Sequence, residues 1–149
     1  MKLAIASDHG ALELKQAVVH YLKQQQIEVE DLGTSTNDSV DYPDFAAQVA
    51  QQVSTGRVDA GILACGTGIG MSITANKFKN VRAALVTDEF TARMSKEHNN
   101  ANILCLGGRV KKPEEAKRLV ALWLETKFEG GRHQKRLDKI AELEKKNLK

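Results

Sequence analysis

The stretch AGILACGTGIGMS at residues 60–72 decides the fold of this chain. Its first half is an apolar run of the kind that forms a buried β-strand. Glycine then occupies every second position from Gly66 to Gly70, where the backbone can approach a ligand and donate N–H groups to anionic oxygens. Residues 72–77 are expected to be helical, which places this loop at the partly positive N-terminus of a helix. A strand, a glycine loop and a helix in this order predict an α/β protein with an anion-binding loop.

The two cysteines of the chain, Cys65 and Cys105, each lie in an apolar run. Cys65 closes the predicted strand at the glycine loop, where a helix N-terminus stabilises a thiolate, so this residue is a candidate base or nucleophile. A cysteine in such a run is more often an inert core residue, and that is our interpretation of Cys105. Their placement does not indicate a disulfide, and free thiols are typical of a cytoplasmic protein.

The composition is typical of a globular protein with a single domain, residues 1–149. Hydrophobic residues make up 42% and charged residues 28% of the chain, and the net charge of +3 does not indicate nucleic-acid binding. Most of the positive excess lies in the tail from Lys127 onward, as on a solvated helix. No apolar run is long enough to span a bilayer, and the N-terminus lacks the apolar length of a signal peptide. We therefore expect no nucleic-acid and no membrane partner.

Short apolar runs alternate with longer amphipathic ones along the chain, as in repeated βαβ units. The predicted strands are residues 2–7, 27–32, 59–65, 82–86 and 103–106. The predicted helices are residues 11–25, 44–54, 70–77, 88–98 and 113–128, and a last helix runs from residue 132 to the end. This pattern predicts a doubly wound α/β/α sandwich with a five-stranded, mostly parallel Rossmann-like sheet and an extra C-terminal helix. Ligands of such folds bind at the carboxyl ends of the strands.

Chemically capable side chains stand close to the predicted strands, and we expect them to meet at that carboxyl edge. They are Asp8 and His9 after the first strand, Cys65 with Thr67 after the third, His98 and Asn99 before the fifth, and Arg109 after it. Each has a structural explanation when taken alone, such as a helix cap for Asp8 or a C-cap for Asn99. Arg132 and Arg136, four residues apart, share one helical face and suit either phosphate recognition or salt bridges.

The glycine loop does not match the known nucleotide motifs. Residues 66–70 are not G-x-G-x-x-G, and no Gly-Lys-Ser/Thr follows them. Histidine and cysteine are too scattered to indicate a zinc site, and Cys65 has no C-x-x-C partner for redox chemistry. The remaining hypothesis is a small phosphorylated substrate handled without a cofactor, with a thiol moving a proton, a histidine acting as acid and arginines holding the phosphate.

Seven short motifs, in order and nearly end to end, resemble the ribose-5-phosphate isomerases of type B, in the family that also holds the galactose-6-phosphate isomerase subunits. The motifs are residues 7–9 (SDH), 41–43 (DYP), 65–70 (CGTGIG), 75–77 (ANK), 98–102 (HNNAN), 107–109 (GGR) and 129–134 (EGGRHQ). The resemblance implies reversible interconversion of D-ribose 5-phosphate and D-ribulose 5-phosphate through a cis-enediol(ate). It implies no metal and no cofactor, and a role in the non-oxidative pentose phosphate pathway.

The resemblance also implies a role for each matching residue. Cys65 would be the base that moves the proton between C1 and C2, His98 the proton donor in opening the furanose ring, and Asp8 a relay at the sugar hydroxyls. Thr67 would hydrogen-bond near the thiol. The backbone amides that would stabilise the enediolate belong to Gly66, Thr67, Gly68, Ile69 and Gly70. The substrate would be held by His9, Arg109, Arg132 and Arg136 at the phosphate and by Asn99 at the sugar.

Members of this family are dimers, often assembled further, and the resemblance implies a homodimer or a tetramer for this chain. The resemblance implies sites shared between subunits, with Arg132 and Arg136 of the C-terminal helix acting in trans. Two alternatives stay open. One is the same chemistry on allose 6-phosphate or galactose 6-phosphate, although residues 130–134, which one galactose-6-phosphate isomerase subunit lacks, favour the pentose. The other is a non-catalytic phosphate-binding α/β module in which Cys65 belongs to the core.

Overall fold

A computed structural model describes residues 1–148 and shows a five-stranded sheet in the order β2-β1-β3-β5-β4. All four strand pairs are parallel, so the sheet is fully rather than mostly parallel within these residues. The strands are β1 Lys2–Ser7, β2 Glu28–Asp31, β3 Ala60–Cys65, β4 Ala83–Leu85 and β5 Ile103–Gly107. The helices are α1 Leu12–Gln24, α2 Tyr42–Ser54, α3 Ile69–Ala75, α4 Glu89–Glu97, α5 Pro113–Glu125 and α6 Arg132–Asn147, with a 3-10 turn at His9–Ala11. The predicted doubly wound α/β fold and its extra C-terminal helix are confirmed.

The central strands are apolar along their whole length because both faces of the sheet are covered by helices. Leu3 and Ile5 of β1 pack with α1, α4 and α5, around the fully buried Trp123. Ala4 and Ala6 of the same strand pack with α2 and α3 on the other face. The edge strand β2 is largely exposed, which explains its partly alternating sequence.

Local sequence sets where the helices begin and end. Asp88 accepts a hydrogen bond from the Thr91 amide at 2.7 Å and caps α4. Helix α5 ends at Glu125, three residues earlier than predicted, because Thr126 takes an extended backbone and its hydroxyl donates to the Leu122 carbonyl at 2.6 Å. The amide of Glu129 then donates to the Glu97 carbonyl at 3.1 Å, so the segment before α6 is attached to the end of α4.

Helix α6 approaches the sheet at the start of β4. Leu137 and Ile140 face Ala83 and Asn99 across a cavity of about 320 Å³. The amide of Asn80 donates to Glu144 at 2.6 Å, which ties the far part of the helix to the loop before β4. Within residues 1–148, no helix has the length and apolar character needed to cross a bilayer.

Candidate active site

The carboxyl ends of β1, β3 and β5 form one continuous surface. The Asp8 amide donates to the Ala64 carbonyl at 3.2 Å, and the Gly108 amide donates to the Cys65 carbonyl at 2.8 Å. One residue further, the Arg109 amide donates to the Gly66 carbonyl at 3.0 Å. These bonds hold together what we call the Cys65 cluster, which consists of Asp8, His9, Cys65 to Gly70 and Arg109. The structure therefore brings these predicted residues together at the expected edge.

The Cys65 sulfur accepts a hydrogen bond from the backbone amide of Gly68 at 3.1 Å. Cys65 is 5% exposed, so its sulfur has little contact with water and the Gly68 amide is its polar partner. Gly68 reaches this position with a φ of +82°, and a Cβ there would stand 2.7 Å from Leu85 and 2.9 Å from the Leu106 backbone. Only glycine fits that conformation and space. The tight loop thus provides an N–H group directed at the thiol, a favourable arrangement for a thiolate.

The hydroxyl of Thr67 accepts from the Ile69 amide at 3.3 Å, inside the same loop. This bond helps to fix the conformation of the loop. Within residues 1–148, no hydrogen bond joins the Thr67 hydroxyl to the Cys65 sulfur. The ring of Tyr42 packs against Gly70, where an added Cβ would come within 2.4 Å of Tyr42 Cζ. Tyr42 was not among the predicted site residues. The Asp-Tyr-Pro motif at residues 41–43 could have indicated Tyr42, but it was used only as one of the motifs that carry the family resemblance.

Asp8 and His9 are both held by backbone amides. Asp8 Oδ1 accepts from the Gly10 amide at 2.9 Å, so the residue does cap the following turn. A Cβ on Gly10 would stand 3.2 Å from this oxygen and 3.3 Å from the Gly66 amide nitrogen, which brings the carboxylate close to the glycine loop. His9 Nδ1 accepts from the Val40 amide at 3.1 Å. A neutral imidazole whose Nδ1 accepts carries its proton on Nε2. His9 therefore presents an N–H donor on its free side, which suits an anionic oxygen.

The guanidinium of Arg109 lies over Gly66. An added Cβ at Gly66 would be 3.2 Å from Arg109 Nη1 and 3.5 Å from its Cζ. The side chain is otherwise exposed, so its donors are available to a ligand. The Cys65 cluster therefore combines a thiol, a carboxylate, a histidine donor and one arginine around a loop of backbone amides.

His98 and Asn99 do not lie at this edge, and the expectation that they do is wrong. Helix α4 begins after the carboxyl end of β4 and runs back antiparallel to the strands, so its end lies at the amino edge of the sheet. The contacts confirm this position, because Arg82 Nε donates to the Asn100 carbonyl at 2.9 Å just before β4 begins. The six residues of β3 separate the two edges by roughly 17 Å. Within one chain, His98 therefore cannot reach Cys65.

A second group of predicted residues surrounds His98 at the amino edge. The imidazole of His98 stacks on that of His133, with ring centroids 4.2 Å apart and planes inclined by 14°. His133 belongs to the first turn of α6, which also carries Arg132, and Arg136 follows one turn later. We call this group the His98 cluster; its members are His98, Asn99, Glu129, Arg132, His133 and Arg136.

His133 is the most buried member of the His98 cluster, at 4% exposure. Burial lowers the pKa of His133, and the positive charge of His98, Arg132 and Arg136 lowers it further. Glu129, whose Oε2 lies 3.5 Å from His133 Nε2, opposes this effect. The stack therefore favours a neutral His133 beneath His98. Sequence reasoning missed this pairing, because residues 98 and 133 meet only through the tertiary fold.

His98, Glu129 and His133 also bring three possible metal-ligand atoms within 4.8 Å of one another. The sequence interpretation, which took histidine and cysteine as too scattered, missed this grouping. An imidazole binds a metal in the plane of its ring at about 2.0–2.1 Å. Two nearly parallel rings stacked face to face cannot direct their lone pairs at one ion. As the side chains stand, the arrangement fits a histidine stack rather than a zinc site.

The chain is similar to known sugar-phosphate isomerases over almost its whole length. The family model described as Ribose/Galactose Isomerase matches residues 3–140. Ribose-5-phosphate isomerase B of Escherichia coli is 44% identical over 145 residues, which cover 97% of each protein.

Solved structures show the same fold. That of ribose-5-phosphate isomerase B of Clostridium thermocellum superposes with a TM-score of 0.96 at 52% identity, covering 98% of this chain and 99% of the other. The Mycoplasma genitalium ribose-5-phosphate isomerase B, solved with bound ribulose-5-phosphate, has a TM-score of 0.95 at 47% identity, covering 98% of this chain and 97% of the other. The chain belongs to the ribose/galactose isomerase family.

Proposed function

We propose that this chain interconverts D-ribose 5-phosphate and D-ribulose 5-phosphate by proton transfer through a cis-enediol(ate), with no covalent bond between Cys65 and the sugar. The observation that carries the proposal is the Cys65 sulfur, held 3.1 Å from the Gly68 amide at the edge where Asp8 and Arg109 converge. The similar Mycoplasma genitalium enzyme, which was solved with ribulose-5-phosphate bound, supports the choice of substrate.

Aldose–ketose isomerisation needs one base that reaches two adjacent carbons and donors for the oxygen on which charge develops. Cys65 would take the proton from one of these carbons and return it to the other. The amides of Gly68 and Ile69 bond within the glycine loop, to the Cys65 sulfur and the Thr67 hydroxyl, so the amides of Gly66, Thr67 and Gly70 would donate to the enediolate oxygen. Asp8, whose carboxylate lies close to that loop, would relay protons at the sugar hydroxyls. Thr67 would help to hold the loop in this conformation.

The two clusters at opposite edges of the sheet support a shared site in a homodimer. One chain presents the Cys65 cluster with a single arginine, and its His98 cluster carries the paired arginines and the candidate ring-opening acid at the other edge. We propose that the His98 cluster of one subunit completes the Cys65 cluster of the other. His98 and Asn99 then act in trans together with Arg132 and Arg136, which widens the trans contribution beyond the two arginines expected from sequence.

Exposed apolar side chains in and beside the Cys65 cluster support this assembly. Ile69 and Ile73, one helical turn apart on α3, are 50% and 59% exposed. Tyr42, which packs on Gly70, is 39% exposed. A partner subunit that seated its His98 cluster here would remove this apolar surface from water.

The proposal needs Cys65 as a free thiol. Both cysteines of the chain are free in the structure. A reducing compartment preserves such thiols, so we place the reaction in the cytoplasm.

A complementation experiment tests the reaction and the shared site together. Cys65→Ala and Arg136→Ala chains are unfolded, mixed and refolded, and mixed dimers are identified by mass. Each mixed dimer contains one site with both native residues and one with neither, so we expect about half the wild-type turnover of ribose 5-phosphate although each parent is nearly inactive. Mixed dimers without recovered turnover would show that each chain holds a complete site.

Exchange of solvent deuterium into ribulose 5-phosphate separates an isomerase from a phosphate-binding module. The wild-type chain should exchange the hydrogen at C1, whereas a binding module gives no exchange. Allose 6-phosphate and galactose 6-phosphate, assayed under the same conditions, should turn over more slowly than the pentose. Faster turnover of a hexose phosphate would change the assigned substrate and leave the proton-transfer chemistry in place.

A further inference from the structure

His133 is a buried titratable residue that has no role in the proposed reaction. Its ring is 4% exposed and stacks on the half-buried ring of His98 at a centroid distance of 4.2 Å. Its other close polar neighbour is the carboxylate of Glu129, at 3.5 Å from Nε2. The face of His98 that meets His133 is therefore fixed by the first turn of α6.

We propose that His133 is a positioning residue: its neutral ring holds the imidazole of His98 at the angle and distance from which His98 protonates the ring oxygen of ribose 5-phosphate. This inference rests on the proposed function, and in particular on His98 as the ring-opening acid. His133 itself touches neither substrate nor reacting atoms in this scheme.

The charges around the pair act on the protonation of His133. His98 on α4, Glu129 in the preceding segment, and Arg132 and Arg136 on α6 all act on His133. Three of these groups are positive or become positive, and only Glu129 opposes them. Two stacked imidazolium rings would repel each other, so one ring stays neutral. The deeper burial of His133 favours its neutral form, and a neutral ring can stack on His98 without repelling it.

The ring-opening step balances with these groups. His98 gives its proton to the ring oxygen as the bond between that oxygen and C1 breaks, and the bonding pair stays on the oxygen. The anomeric hydroxyl becomes the C1 carbonyl, and its proton passes to the Asp8 carboxylate of the other subunit. Solvent restores the proton of His98 and accepts that of Asp8, so no oxidant, reductant or further reactant is required.

The chemistry of the substrate explains why this acid belongs beside the paired arginines. In ribose 5-phosphate the ring oxygen is bonded to C4, and C5 with its phosphate is attached to the same carbon. An acid for that oxygen must therefore stand close to the groups that hold the phosphate. The stack on His133 fixes His98 to the helical turns that carry Arg132 and Arg136. The acid and the phosphate contacts then form one unit with a set spacing.

Two substitutions of His133 test whether a flat ring beneath His98 is what matters. His133→Phe keeps a flat neutral ring under His98, whereas His133→Ala removes the ring. We expect kcat for ribose 5-phosphate to fall about 10- to 100-fold in His133→Ala, with little change in KM, because misplaced catalytic groups cost rates of that order. His133→Phe should keep most of the wild-type kcat.

A second readout excludes a merely structural effect. Ribulose 5-phosphate is open-chain, because its C5 oxygen is phosphorylated and cannot close a furanose, so deuterium exchange at its C1 does not need ring opening. Exchange by His133→Ala should therefore stay close to wild type while turnover of ribose 5-phosphate falls. A parallel loss of exchange and turnover, or a His133→Phe variant as slow as His133→Ala, would overturn the positioning role. Absence of exchange in the wild-type chain would instead contradict the proposed function.

Discussion

The backbone amide of Gly68 directs its hydrogen at the sulfur of Cys65, 3.1 Å away, from a left-handed conformation that other residues rarely adopt. The proposed role of Cys65 as the base therefore depends on the backbone of a glycine. The thiol and the loop can be tested separately.

Replacing Cys65 by Ala should reduce deuterium exchange into ribulose 5-phosphate by about 10²- to 10⁴-fold, the usual effect of losing a general base. Binding of the sugar phosphate should persist because the arginines and His9 are unchanged. Isothermal titration and exchange followed by NMR measure the two effects. Full turnover by this variant would show that another group is the base.

Cys105 provides the matched control for this experiment. Burial raises the pKa of the Cys105 thiol, and the nearby Cys65 raises it further, so it stays protonated and unreactive in the folded chain. Brief treatment with iodoacetamide followed by peptide mass spectrometry should label Cys65 and leave Cys105 unlabelled until urea is added. Earlier labelling of Cys105 would contradict these assignments.

Gly68→Ala should damage both stability and catalysis, whereas Gly56→Ala should affect stability alone. The two glycines have similar φ values of +82° and +76°, so the backbone strain is comparable, about 1–2 kcal/mol. A Cβ meets nothing within 4 Å at Gly56 but approaches Leu85 and the Leu106 backbone at Gly68. Urea unfolding and exchange rates compare the variants. Equal activity in both would show that the Gly68 amide is not needed.

The histidine stack should make stability depend on pH in a defined direction. Because the pKa of His133 is lowered in the folded chain, the unfolded chain binds a proton that the folded chain does not as pH falls below about 6.5. Unfolding free energy should therefore decrease with falling pH through this window, and less so in His133→Phe. Urea titrations of both proteins from pH 7.5 to 5 measure the difference. Identical pH dependence in the two would contradict the lowered pKa.

Removing only the negative partner of the Lys15–Asp31 ion pair should lower the free energy of unfolding more than removing the positive charge of Lys15 itself. Lys15 is 1% exposed and donates to Asp31 at 2.7 Å and to the Thr34 carbonyl at 2.6 Å. Asp31→Asn leaves a buried ammonium group without its counter-charge and should cost about 2–3 kcal/mol, since Asp31 itself is partly exposed. Lys15→Met removes the charge as well and should cost less. The reverse order in urea unfolding would contradict this account.

Most of the fold could be predicted because its signals are local. Apolar runs located all five strands to within a few residues, and β1 was predicted at its observed limits. The second helix was predicted to begin at residue 44 and begins two residues earlier, at Tyr42, with Pro43 in its first turn. The end of α5 was placed too late, because the helix gives way at Thr126 to an extended segment whose Glu129 amide bonds to the Glu97 carbonyl of α4, a tertiary contact that the apolar pattern does not indicate.

The candidate site could be predicted only in part, for a geometric reason. Residues that directly follow parallel strands share one edge, and so Asp8, Cys65 and Arg109 meet as expected. His98 ends a helix that returns the chain to the other edge, and that change of direction was overlooked. The contact of His98 with His133 joins distant segments, and no periodicity in the chain indicates it.

The separation of the two clusters across the sheet has a consequence for how activity should scale. If each active site needs one cluster from each of two chains, a monomer contains two incomplete active sites and no complete one. The rate then depends on the concentration of dimers rather than of chains. Below the dissociation constant of the dimer, the rate falls with the square of the total chain concentration. Dilution alone would switch off such an enzyme while every chain kept its fold.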